Sequence, residues 1–150
     1  MFYATKQYTY DCQMMSAGKL AAPESLYVAL VTDTPDYDTS TFDELTEIAA
    51  GNGYTSGGKE VEPGDITVSK ETAYTELELP IIQWIADGGA IPPSGDGALY
   101  AVLLTDEVTV SDRRVWGYGQ LSGEVTIADG QALELGNPDT IRIRIQEPSS

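Results

Sequence analysis

The sequence predicts an all-β globular domain, and three observations carry that expectation. The segment Leu26-Tyr27-Val28-Ala29-Leu30-Val31-Thr32-Asp33 returns as Leu99-Tyr100-Ala101-Val102-Leu103-Leu104-Thr105-Asp106. Each copy is an apolar run of strand length closed by Thr-Asp, the pattern of a strand buried on both faces. From Lys59 onward, short β-branched and aromatic stretches alternate with Gly, Pro and Asp turns. Only one stretch, near residue 45, carries convincing helix signals. With 150 residues and 41% hydrophobic content the chain can bury one sizeable core. The two repeat copies are expected at the centres of two sheets, or as two central strands of one barrel.

Residues 1–22 read as an extended N-terminal arm ahead of a single domain, 23–150. Phe2, Tyr3, Tyr8 and Tyr10 decorate a polar backbone, and alternation at Tyr8, Tyr10, Cys12 and Met14 fits one extended strand. Such a segment packs on a neighbouring subunit or forms an edge strand of its own domain, and the sequence weighs the two equally. After Pro23 and the first repeat copy, Asp33-Thr34-Pro35-Asp36-Tyr37-Asp38 is turn-rich. Three carboxylates there could hold calcium, but the spacing lacks a closing bidentate Glu, so a solvated Asp-Pro turn is the expectation.

Thr41 stands three residues before Glu44 as in a capping box, and Phe42, Leu45, Ile48 and Ala49 share one helical face. With Gly51 as the stop, one short helix is predicted over about residues 42–50. The Gly-rich run 51–58 lacks the Lys-Ser/Thr ending of a phosphate cradle and reads as a tight turn. Strands are expected near Val61, Ile66–Val68, Tyr74–Leu79 and Ile81–Ile85. The Gly/Pro-rich loop 87–98 is then the most flexible excursion. Val115–Leu121 forms another strand, and Val125–Ile127 is expected to pair with Ala132–Leu135 across the Asp129-Gly130 turn. Thr140–Ile145 alternates strictly, with Arg142 and Arg144 on one face, positioned for carboxylates of a neighbouring strand or subunit.

The chemistry is sparse. Eight basic against 24 acidic residues give a formal charge of −16, which disfavours nucleic acid and anionic membranes. The acidic surface either keeps the protein soluble or meets a basic partner or divalent cations. No histidine is present, which removes imidazole bases and most zinc sites, and the single Cys12 cannot form an internal disulfide. No secretory signal and no apolar run of membrane-spanning length stands out, so synthesis in a cytoplasm is expected. Carboxylate pairs such as Glu76 with Glu78 and Asp106 with Glu107 carry no sign of the burial that acid–base work requires. No catalytic residue, cofactor or metal site is predicted. Trp84, among isoleucines, and Trp116, within a strand, read as core or interface residues.

The order of elements carries a resemblance. A Leu-Tyr-Val-Ala-Leu strand is followed by Gly51-Asn52-Gly53-Tyr54, then Trp84, then an apolar strand ending Leu-Leu-Thr-Asp. Trp116-Gly117-Tyr118-Gly119-Gln120-Leu121 and the segment Val125 to Leu135 complete the series. Over about residues 25–145 this resembles a group of small tailed-bacteriophage virion proteins, labelled tail-fibre-like or head decoration (cement) proteins. The loop 87–98, the insertion Asp112-Arg113-Arg114 and the arm depart from that pattern. The resemblance implies a β-sandwich related to jelly rolls and a non-enzymatic, oligomeric particle protein, a trimer by analogy. The expected role is a capsid decoration protein on the virion surface, bound to the major capsid protein and assembled in the host cytoplasm. The alternative is a tail adaptor or receptor-binding tip that contacts host glycan. Expected interface residues are Phe2, Tyr3, Tyr8, Tyr10, Met14, Met15, Trp116, Tyr118, Arg142 and Arg144.

Overall fold

The two repeat copies are direct neighbours. In the computed structural model, which describes residues 2–21, 23–61, 67–70, 74–135 and 141–146, they form β2 (Leu26–Val31) and β7 (Ala98–Leu104). They pair antiparallel, Tyr27 opposite Leu104 through Val31 opposite Tyr100, so Ala29 opposite Val102 is a local two-fold centre. The two copies therefore share one sheet and lie side by side in it, where two sheets or a barrel was expected. Four consecutive residues of each strand, Val28–Val31 and Ala101–Leu104, have no solvent exposure. That explains their unbroken apolar character.

The remaining elements are β1 (Phe2–Ala4), α1 (Lys6–Ser16), β3 (Lys59–Val61), β4 (Thr67–Lys70) and β5 (Tyr74–Leu79). They continue with β6 (Ile82–Ile85), β8 (Val115–Val125), β9 (Ala132–Leu135) and β10 (Ile141–Gln146). The fold is thus mostly β with one short α-helix among the described residues. Eight strands form one sheet in the order β3-β2-β7-β8-β1-β10-β5-β4, and β6 with β9 forms a second. All pairings are antiparallel except β1 with β10.

Alternation along β2 and β7 divides the core between the two faces of the large sheet. One face carries Val28, Leu30, Ala101 and Leu103 under Tyr8 of α1, Ile82 and Trp84 of β6, and Ile91 and Ile127. The other carries Ala29, Val31, Val102, Leu104 and Val115 under Phe42 and the half-buried Leu45, Val110 and three tyrosines. Each fully buried Leu or Val stabilises by about 1.5–3 kcal/mol relative to exposure.

Several expectations are corrected. The extended arm is instead a three-residue strand followed by α1, and β1 lies inside the sheet between β8 and β10. Thr5 starts the helix: its Oγ1 accepts from the Tyr8 N–H and donates to the Val115 carbonyl at 2.5 Å. The helix expected over 42–50 stops after one 3-10 turn, Phe42–Glu44, although Glu44 accepts from the Thr41 N–H as the capping box requires. Sheet bonding overrides it: the Thr32 N–H donates to the Thr46 carbonyl and the Ile48 N–H to the Leu30 carbonyl, extending 46–48 along β2. The Asp129-Gly130 turn forms, with the Gln131 N–H donating to the Ala128 carbonyl. Its strands, however, do not pair with each other: β9 pairs with β6, while Ile127 bridges Ile91. That bridge anchors the loop 87–98, whose Ile91 is buried in the core.

Candidate interaction surface

The chemistry-bearing side chains gather at two places. The first is the junction of α1 with β8. One extra residue on β8 separates Leu104 opposite Val115 from Leu103 opposite Gly117, and that extra residue is Trp116. The bulge turns its ring to the helix side of the sheet, where it meets Tyr8 edge-on, centroids 4.8 Å apart. Asp11, 1% exposed, accepts from Trp116 Nε1 at 2.7 Å, Arg114 Nε at 2.5 Å and Gln7 Nε2 at 2.8 Å. Arg114 Nη1 also donates to Glu107, which accepts from the Thr105 hydroxyl as well. Three donors satisfy the buried carboxylate, so the cluster works as a latch between helix and sheet. Burial holds the Tyr8 phenol well above its ordinary range and raises the neighbouring Cys12 thiol too.

The second place is the opposite face. Tyr3 of β1 stands directly across from Tyr118 of β8, with ring centroids 6.1 Å apart, and Tyr118 lies 6.4 Å from Tyr100 of β7. Tyr3 is 58% exposed and the other two are half-buried. Three tyrosines thus form a row across three adjacent strands. Burial raises the Tyr118 phenol first, and the Asp36 carboxylate, Tyr100 and Tyr3 push it further up. Asp36 is exposed, in a loop tied to the first residue of α1 by the Lys6 N–H to Tyr37 carbonyl bond. A fourth tyrosine of this face, Tyr27, is covered by the chain's own Arg113, whose guanidinium carbon lies 3.8 Å from the ring centroid.

The expected interface residues separate accordingly. Tyr3 and Tyr118 belong to the tyrosine row. Tyr8 and Trp116 are interior, the latter 5% exposed, so neither presents a ring to a partner. Tyr10 is exposed on α1, and Met14 and Met15 are half-buried there, Met15 against the core. Phe2, Arg142 and Arg144 are placed by backbone only, and their side chains lie outside the described residues. The register sets Arg142 opposite Glu78, and Arg144 opposite both Glu76 and Tyr3. Tyr100 carries no local signal of exposure, because it lies inside an apolar repeat whose pattern is that of a strand buried on both faces.

The Asp33, Asp36 and Asp38 carboxylates each have local partners. Asp33 accepts from the Thr46 N–H, Asp36 from the Asp38 N–H, and Asp38 faces Lys6. Among the described residues no group of three His, Cys, Asp or Glu side chains is placed to hold a metal ion. No helix of the described residues is long and apolar enough to cross a membrane. No family model, curated protein or solved structure matches the chain.

Proposed function

We propose that this chain is a structural component of a tailed-bacteriophage particle, most simply a head decoration protein that binds the major capsid protein and stabilises the shell. The order of motifs from Leu26 to Leu135 is what carries the reading. The tyrosine row, with Tyr3 exposed and Tyr100 and Tyr118 half-buried, supports it, because aromatic residues with a polar tip are enriched where proteins meet. In this reading the protein is non-catalytic and oligomeric, and its two sheets are the layers of a β-sandwich of jelly-roll type. The small sheet β6-β9 contributes Ile82, Trp84, Leu133 and Leu135 to the same core as β2 and β7, as a covering layer would.

Decoration acts by mass action, since each bound copy favours the assembled shell over its parts. Quantitative mass spectrometry of purified particles tests the proposal. Hundreds of copies per particle are expected. A few dozen or fewer would move the protein to the tail or a vertex, and its absence would reject a particle role. Heads lacking the protein should also melt at a lower temperature and regain the difference when it is added back.

A further inference from the structure

We propose that the row Tyr100–Tyr118–Tyr3, flanked by the Asp36 carboxylate, is a docking face for an arginine- or lysine-bearing polypeptide segment of a partner protein. This names the partner chemistry of the assembly role above and rests on that role only for the partner's identity. Four tyrosines lie on this face of the large sheet, on four adjacent strands. One of them, Tyr27, already shows the mode of recognition. Arg113 stacks on its ring while Nε and Nη1 donate to the Glu107 and Gly57 carbonyls at 3.2 and 3.1 Å. No described cation covers the other three rings. Arg144, set beside Tyr3 by the strand register, lies opposite Glu76.

Charge and ring geometry choose the occupant. A chain of formal charge −16 attracts cations over its whole surface. The loop carrying Asp36 is pinned to the starts of α1 and β8 by the Lys6 N–H to Tyr37 carbonyl and Val115 N–H to Ser40 carbonyl bonds, near enough for its carboxylate to act on Tyr118. A positive side chain over a tyrosine face gains the ring quadrupole as well as that carboxylate. A sugar ring prefers one flat platform, but neighbouring rings are tilted by 42° and 54°. A guanidinium or ammonium group needs only one ring at a time. The row crosses strands about 4.8 Å apart, so an extended segment can present successive cations to successive rings.

The test is an NMR titration of the full chain with acetyl-Gly-Arg-Gly-Arg-Gly-amide, and with the same peptide carrying neutral citrulline for arginine. Shifts confined to Tyr3, Tyr100, Tyr118, Asp36 and their neighbours are expected, for the arginine peptide alone. Tyr3→Thr and Asp36→Asn should each weaken binding by roughly threefold to tenfold. Asparagine keeps the oxygen that accepts from the Asp38 N–H, so the turn survives. Tyr118→Leu should abolish the focused shifts in a protein whose circular dichroism shows it folded. Equal response to the citrulline peptide, or shifts spread evenly over the acidic surface, would overturn the proposal. Capsid rebinding separates the two claims. If a Tyr3→Thr/Asp36→Asn protein decorates heads as well as the parent, the docking face is wrong and the assembly role stands. If the parent ignores heads but the peptide titration behaves as expected, the assembly role falls and the face stands.

Discussion

Asp11 is the residue on which the helix–sheet contact turns. A carboxylate inside an aromatic stretch reads as surface, yet Asp11 is buried because Trp116, Arg114 and Gln7 all donate to it. No local sequence signal pairs positions 11 and 114, so this cluster was illegible without the fold. Asp11→Leu would strand a buried indole N–H and part of a guanidinium. We expect a loss of about 3 kcal/mol in urea denaturation, with Asp11 and Arg114 strongly coupled in a double-mutant cycle. An Asp11→Leu protein as stable as the parent would mean the latch carries no weight.

The phenols supply a pH prediction. Burial raises Tyr8 and Tyr54, and Glu47, which accepts from the Tyr54 hydroxyl at 2.6 Å, raises Tyr54 further. In the unfolded chain both ionise at about pH 10, while in the fold they keep their protons. Above that pH the unfolded state binds fewer protons, so stability is complete below it and falls as pH rises. Denaturation midpoints should therefore drop between pH 9 and 11. Tyr8→Phe should flatten that slope, and an unchanged slope would contradict the assignment.

At the scale of elements, the apolar strands were legible and their partners were not. β2, β5, β7 and β10 fall within a residue or two of where their patterns predict, because period and length are local properties. The helix α1 escaped because Tyr8, Cys12 and Met15 fit helical spacing while Tyr8, Tyr10, Cys12 and Met14 fit alternation equally well. Its cap at Thr5 was the available signal. Thr5→Ala removes both the cap and the bond to Val115, so a cost of roughly 1–2 kcal/mol is expected in thermal unfolding.

The turn entering β3 depends on Gly58, which has φ +86°. A Cβ there would sit 2.2 Å from the Val28 carbonyl oxygen, on the strand that β3 pairs with. Gly58→Ala should cost about 2 kcal/mol or more, read as a lower urea midpoint, because the backbone must move on both sides of the turn.

For the whole molecule, the decisive element is the smallest one. Among the described residues, β8 and β10 do not pair with each other, and the three residues of β1 join the β3-β2-β7-β8 half of the sheet to β10-β5-β4. Deleting Phe2–Ala4 should split one cooperative unfolding transition into two, with the β4-β5-β10 unit losing amide-exchange protection first. A single transition of unchanged midpoint would show that packing, and not this ladder, unites the halves. The sequence marked an aromatic segment here that needed a partner. Its place in mid-sheet depends on contacts with the far end of the chain, which no local pattern encodes.

That same pairing sets a clock. Phe2 meets Ile143, so β1 stays without this partner until about 140 further residues have been made. A ribosome adding about 5–20 residues per second leaves the first strand waiting several seconds for its partner. During that wait β1, paired on one side with β8, offers its other edge unpaired, and whatever occupies that edge first, chaperone or sister chain, competes with β10.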